Sequence, residues 1–203
     1  MSRKGLLIVI SGPSGTGKGT ICKELLSRNI PDLELSISVT TRKPRAGELE
    51  GLNYFFKDKA KFIEMIENNE FIEYARVYDN YYGTPKQYVF DRLNEGKDVI
   101  LEIDTQGAVN VKNIFDEGIL IFIVPPSFEE LKNRILNRGT ETEEDIKKRL
   151  KCANEELKLS SYYDYLIVND NIKKAADKVE SILQAEKCKI KRINIDYLNF
   201  EEE

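Results

Sequence analysis

The sequence predicts an α/β fold: a mostly parallel sheet flanked by helices, with a small β-rich insertion and a helical lid added to it. Three observations carry this reading. Short, largely apolar runs such as GLLIVIS, DVILEI and ILIFIVPP have the character of strands buried on both faces. Segments with helical spacing of apolar residues separate them, and such alternation favours parallel pairing through crossover helices. Between about residues 36 and 88 that alternation gives way to β-type and turn-forming residues.

Taken in order, GLLIVISG is the first buried strand. GTICKELLSRN follows as a helix with Ile21, Leu25 and Leu26 on one side, and Pro31 and Asp32 stop it. LELSISVTTRKPRAGELEG is β-prone at first and then polar. NYFF reads as a short strand, and KDKAKFIEMIENNE as an amphipathic helix with Phe62, Met65 and Ile66 at helical spacing. FIEYARVYDNYYGTP returns to β-type residues around a turn at Asn80. KQYVFDRLNEG is a helix that stops at Gly96. DVILEIDTQG is a second buried strand that ends at Asp104 beside a glycine-containing turn, VNVKNIF a helix, and ILIFIVPP a third buried strand. In SFEELKNRILNRG, Ser127 is a good N-cap, with Glu129 and Glu130 in the first helical turn. TETEEDIKKRLKCANEELKLSSYY begins polar and becomes a long helix. YDYLIVND is a fourth buried strand, and NIKKAADKVESILQAEK a closing helix. The expected division is a nucleotide-binding core of 1–35, 89–137 and 151–187, an insertion of 36–88, a lid of 138–150, and a tail of 188–203 that is either a docked arm or disordered.

Composition narrows the function classes. The 203 residues suit one domain, and 41% apolar with 33% charged residues suits a soluble globular protein. A net charge of −4 gives no broad basic surface for nucleic acid. The absence of histidine removes His-based triads and His-ligated metals. Cys22, Cys152 and Cys188 form no zinc pattern and read as reduced thiols, which points to the cytoplasm. The apolar run Leu6 to Ile10 is too short for a signal peptide, and no stretch approaches a membrane span, so no membrane association is expected.

The chemistry begins at SGPSGTGKGT, residues 11–20. Gly12, Gly15 and Gly17 let the backbone turn so that successive N–H groups after Pro13, those of Ser14 and Thr16 among them, point at one set of phosphate oxygens. The helix that follows adds its positive end. Lys18 adds a full charge near the β- and γ-phosphates. The next position usually carries a hydroxyl for the metal, yet here it is Gly19. Thr20 comes one position later and is placed for the α- or β-phosphate. Magnesium is therefore expected to be held mainly by phosphate oxygens and water, with Thr20 or Asp104 contributing indirectly.

A second anion site is written in TTRKPRAGE. Arg42 and Arg45 flank Pro44, whose restricted backbone holds both guanidinium groups toward one place, and arginine grips a phosphate bidentately. Tyr54 and Tyr82 offer hydroxyl donors to the same anion. The plainer alternative is a solvated basic loop. A loop for a polyphosphate and an arginine pair for a monophosphate together suit phosphoryl transfer, where catalysis is mostly alignment and charge neutralisation.

At these residues the chain closely resembles guanylate kinase, from about Leu7 to Lys187. The resemblance rests on SGPSGTGKGT, SVTTRKPRAGE, NNEFIEYA, NYYGT, LEIDTQG and RILNRGTETEEDIKKRL. It implies the P-loop NTPase fold and transfer of the γ-phosphoryl group of ATP to GMP with magnesium, in purine nucleotide metabolism. By resemblance Ser38, Glu73, Thr84 and Asp104 surround guanine, and Arg42, Arg45, Tyr54 and Tyr82 hold the GMP phosphate. The chemistry agrees: a carboxylate at Glu73 accepts from guanine N1–H and its amine, while hydroxyls at Ser38 and Thr84 suit O6. Adenine lacks the N1 proton and leaves Glu73 unsatisfied. Asp104 ends a strand at the edge where open α/β sheets bind ligands, and is expected to face guanine, a metal-bound water or both. Glu102, two residues earlier, points to the same face and is expected to support it.

Arg134, Arg138 and Arg149 match the arginines that the family brings to the transferring phosphate. Arg134 and Arg138 share a helix face, and Arg149 follows the polar GTETEED segment, a candidate lid. Asn169 and Asp170 match positions near the ATP adenine. Two departures stand out: Gly19 replaces a serine common in the family, and Thr84 a serine whose hydroxyl it keeps. Competing readings are another nucleoside monophosphate kinase, a non-catalytic guanylate-kinase-like module that binds phosphopeptides, and a hydrolytic P-loop protein. Gln106 is the only nearby candidate to position water in the last.

Overall fold

The computed structural model describes residues 4–77, 79–136 and 143–192, the side chains of residue 77 and residues 143–148 excepted. In chain order the elements are β1 (Leu7–Ser11), α1 (Lys18–Ser27), β2 (Leu33–Leu35), β3 (Val39–Thr40), β4 (Phe55–Phe56), α2 (Lys59–Glu67), β5 (Phe71–Val77) and β6 (Asn80–Pro85). They continue with α3 (Lys86–Asn94), β7 (Asp98–Glu102), α4 (Thr105–Ile114), β8 (Ile119–Val124), α5 (Phe128–Leu136), α6 (Glu143–Lys158), β9 (Tyr165–Val168) and α7 (Ile172–Lys187).

Five strands form one all-parallel sheet in the order β2-β7-β1-β8-β9. Its side chains alternate between two cores. Ile8, Ile10, Ile100 and Ile121 face α1 and α7, where Ile21, Leu25, Val179 and Leu183 cover them. Leu7, Val9, Leu101 and Leu120 face the other way, onto Val89 and Leu93 of α3 and Ala108 and Val111 of α4. This period of two explains why the central strands carry apolar residues on both faces.

The structure differs from the sequence reading at both sheet edges. A short strand, β2, joins the sheet beside β7, with Leu33 opposite Asp98. Its three half-buried residues give no long apolar run to mark it. At the other edge β9 is not buried on both faces: Leu166 is 56% exposed. Helix α4 begins at Thr105, within the segment read as a turn, because the Asp104 carboxylate accepts from Gly107 N–H at 2.7 Å and caps it. Ser127 Oγ accepts from Glu130 N–H at 3.1 Å, as its place before α5 suggested.

A second sheet, in the order β4-β3-β6-β5, lies between β2 and α3 in the chain. Strands β5 and β6 form an antiparallel hairpin that places Glu73 opposite Thr84. Phe62 and Met65 of α2 close this unit's small core with Val39 and Phe71, and the rings of Phe62 and Phe71 stack 4.6 Å apart.

Buried polar anchors gather at the N-terminal end of the parallel strands. Asp98 is fully buried, accepts from Leu6 N–H at 2.8 Å and pairs with Lys187 Nζ at 2.6 Å. Glu186 accepts from the Tyr165 hydroxyl at 2.6 Å and pairs with Lys189 and Arg192. Arg192 also donates to Glu117 O at 3.0 Å, so residues 188–192 are docked. Residues 193–203 lie outside the described residues. The opposite end, where β1, β7, β8 and β9 finish, is left to loops and to the candidate site.

Candidate functional site

The loop after β1 turns where no side chain fits. Gly12 has φ 137°, and a Cβ there would lie 2.2 Å from Ile123 O on the neighbouring β8. Gly17, at φ 90°, would drive a Cβ to 2.5 Å from the Asn169 amide. Between them Thr16 Oγ1 donates to Pro13 O at 2.9 Å, and Leu131 and Ile135 of α5 pack against Gly15. Lys18 folds back over the loop and donates to Gly12 O at 2.6 Å and Pro13 O at 3.1 Å. Burial pulls the Lys18 pKa down, while the charges of Glu102, Glu156 and Asp104 push it up. A cleft at the loop is lined by Ser14, Gly15, Gly17, Lys18, Gly19, Thr20, Lys23 and Glu102.

Gly19 has a local explanation. A Cβ on it would lie 3.0 Å from Glu102 Oε1 and 3.3 Å from Oε2. The missing side chain makes room for that carboxylate at the start of α1.

A second cleft, of about 560 Å³, adjoins the first and shares Lys18 and Glu102 with it. Ser38, Tyr54, Glu73, Ala75, Tyr82, Ile103 and Asp104 complete its lining. Glu73 is 7% exposed, and Thr84 Oγ1 donates to its Oε1 at 2.6 Å. The hydroxyl proton of Thr84 is therefore given to Glu73 and not held free for a ligand oxygen, as the sequence reading had suggested. Burial raises the Glu73 carboxyl to about 7; the Thr84 hydrogen bond opposes this and the Asp104 charge adds to it.

Arg42 is held by a residue that the sequence reading missed. Its Nη1 and Nη2 donate to Glu48 Oε2 and Oε1 at 2.9 and 2.8 Å, and Nη1 also donates to Lys43 O at 2.8 Å. Arg45 is exposed, and its N–H donates to Glu48 Oε2 at 2.8 Å. The Arg42 guanidinium, followed by the Arg45 N–H, holds the Glu48 carboxyl below its ordinary range. The Arg42 guanidinium lies over the Tyr54 ring at 5.3 Å, and the Tyr54 and Tyr82 rings are 6.0 Å apart. Glu48 takes one edge of the guanidinium, and the Tyr82 side chain also interacts with Arg42.

The remaining expected residues are distributed differently. Asn169 is buried and donates its amide to Thr16 O at 2.7 Å, bracing the loop from β9. Arg134 donates to Glu130 Oε1 at 2.7 Å and to Asn169 O at 3.0 Å, so it joins α5 to the same brace. Asp170 is exposed, and its Oδ1 accepts from Asn171 N–H at 2.8 Å. Arg149 is half-buried on α6, the helix whose Ala153 packs on Leu131 and Ile135. Arg138 and the first part of the expected lid lie outside the described residues. Among the described residues no group of three or more His, Cys, Asp or Glu is gathered to hold a metal. Thr20 and Glu102 line the loop cleft, and Asp104 the adjoining one.

The sequence profile described as guanylate kinase matches residues 4–186. The chain belongs to the guanylate kinase family. A guanylate kinase of Caldanaerobacter subterraneus subsp. tengcongensis is 57% identical over 203 residues, covering 100% of this chain and 98% of the relative. One of Clostridioides difficile is 56% identical over 202 residues, covering 99% and 98%. The crystal structure of guanylate kinase from Anaplasma phagocytophilum superposes with a TM-score of 0.78 at 36% identity, covering 100% of this chain and 98% of that one. Full-length guanylate kinase relatives thus span the phosphate loop and the small sheet alike.

Proposed function

We propose that the chain transfers the γ-phosphoryl group of MgATP to GMP, and to dGMP, giving ADP and GDP. The observation that carries this is the buried Glu73–Thr84 pair with Asp104, in a cleft that also contains Lys18 of the phosphate loop. A carboxylate set beside a phosphate-binding lysine suits a guanine-bearing acceptor aligned with ATP. In this reading Gly12, Pro13, Ser14, Gly15, Thr16, Gly17, Lys18, Gly19 and Thr20 hold the ATP phosphates, with Asn169 and Asp170 toward the adenine. Ser38, Glu73, Thr84 and Asp104 take guanine, while Arg42, Arg45, Tyr54 and Tyr82 take its phosphate. Arg134, Arg138 and Arg149 add positive charge as residues 138–150 close.

Magnesium bound with ATP supplies charge neutralisation on the β- and γ-oxygens. Thr20, Glu102 and Asp104 are hard oxygen donors of the type that suits a largely hydrated ion. No helix among the described residues is long and apolar enough to cross a membrane. We assign the reaction to the cytoplasm and to purine nucleotide metabolism.

Glu48 fixes Arg42, so Glu48→Gln is expected to raise the KM for GMP by about tenfold with a much smaller change in kcat. Steady-state kinetics with GMP, and competition by guanosine, check this. Guanosine lacks the phosphate, and its affinity is expected to be unchanged.

The test of the function is ADP formation from MgATP with GMP, dGMP, AMP, CMP and UMP in parallel. Turnover confined to GMP and dGMP is the expected result. Turnover with AMP would overturn the base assignment. ATP binding without turnover on any acceptor would favour the phosphopeptide-binding alternative.

A further inference from the structure

Gly107 is the third residue of α4, and its φ is not among the chain's positive values. Its backbone is ordinary helix, open to any residue. Glycine is a poor helix former and alanine the best, so propensity alone argues against it there. The reason is space. A Cβ built on Gly107 lies 2.9 Å from Glu73 Oε2, 3.3 Å from Asp104 Oδ1 and 3.4 Å from Glu73 Cδ. The atoms it meets are the ends of acidic side chains, not backbone. A side chain at 107 would leave the fold in place and move the carboxylates.

Those carboxylates have little freedom to move without consequence. Glu73 is buried, and its Oε1 is pinned by Thr84 at 2.6 Å. Asp104 Oδ1 is held by the N–H of Gly107 itself at 2.7 Å. We propose that Gly107 is a positioning residue that sets acceptor specificity, by leaving free the space in which the Glu73 and Asp104 carboxylates converge over the first turn of α4. The proposal rests on the reading of Glu73 as guanine's partner. Two parallel donors on one edge of the base need both oxygens of one carboxylate in one plane. Displacing Oε2 while Oε1 stays bonded to Thr84 rotates that plane. The residues assigned to ATP and to the acceptor phosphate are untouched.

The test is Gly107→Ala, made in the parent and in a Glu73→Asp background. In the parent, the KM for GMP is expected to rise about tenfold or more, with the KM for ATP unchanged and Tm no lower. In the Glu73→Asp background the shorter acid has withdrawn from the new Cβ, so the same change is expected to have a clearly smaller effect. A KM for GMP within about twofold of the parent would overturn the proposal. So would equal effects in the two backgrounds, or a fall in Tm with both KM values rising together. If the parent uses a different acceptor, the functional reading fails separately. The KM for that acceptor then tests the glycine by the same criteria.

Discussion

Glu73→Gln is expected to lower kcat/KM for GMP by roughly 10³–10⁴-fold, because the amide turns one of its two faces from acceptor to donor against guanine. The same change is expected to make the ligand-free protein more stable. The Glu73 carboxyl is raised from 4.5 to about 7, first by burial and then by the Asp104 charge, against the Thr84 hydrogen bond. The folded state therefore favours the protonated acid. The stability this group contributes is fully present below 4.5 and is lost as pH rises through about 7. Glutamine keeps an oxygen for the Thr84 hydroxyl and carries no charge. Thermal unfolding of the variant is thus expected to move up at pH 8 and much less at pH 5. In the parent, GMP binds the ionised form, so its KM is expected to fall as pH rises through about 7 and then level off. Loss of that pH dependence in the variant, measured beside its Tm, assigns both effects to one group. An unchanged KM profile would separate Glu73 from the acceptor.

Lys18→Met is expected to lower ADP formation by about 10³-fold, the order of effect of removing one preorganised charge at a transferring phosphoryl group. Lys18 reaches this position through the carbonyls of Gly12 and Pro13, which hold the ammonium at the mouth of the loop. Methionine replaces the apolar stem approximately and removes the charge and the two hydrogen bonds. Arginine is not expected to rescue it, because a planar fork does not replace a compact ammonium between two carbonyls. Rapid-quench measurement of the chemical step checks the prediction. A loss of less than tenfold would place the charge neutralisation on the arginines instead.

Much of this was legible in the sequence because it depends on local pattern. The glycines and Lys18 of the loop declare themselves in ten residues, and β1, β7 and β8 declare themselves as short, largely apolar runs. What escaped depends on partners distant in the chain. Asn169 braces Thr16 across 153 positions, and no spacing rule marks such a contact. Glu48 looked like any acid in a polar loop until the turn at Ala46 and Gly47 brought it onto Arg42. The β-prone stretch from Leu33 was legible, but not its division between β2, beside β7 in the central sheet, and β3 in the small one. The exposure of β9 follows from its place at the sheet edge, which hydrophobicity alone does not reveal. Gly107 read as an ordinary turn glycine, and only its place inside α4 shows that the backbone has no need of one there.

The strand order has a consequence for how the chain reaches this state. Leu7 pairs with Val99 and Ile8 with Ile119, so β1 finds its neighbours only in strands far along the chain. Ile21 and Leu25 of the adjacent α1 can cover one face of β1, but the Leu7 and Val9 face waits for residues much later in the chain. The small sheet takes all its strands from Val39 to Pro85 and carries its own aromatic cluster, so its contacts close short loops. Assembly is therefore expected to start in the middle of the sequence. The central sheet, and with it the phosphate loop at the end of β1, then forms late, in one step that joins the two halves of the chain around an already compact unit.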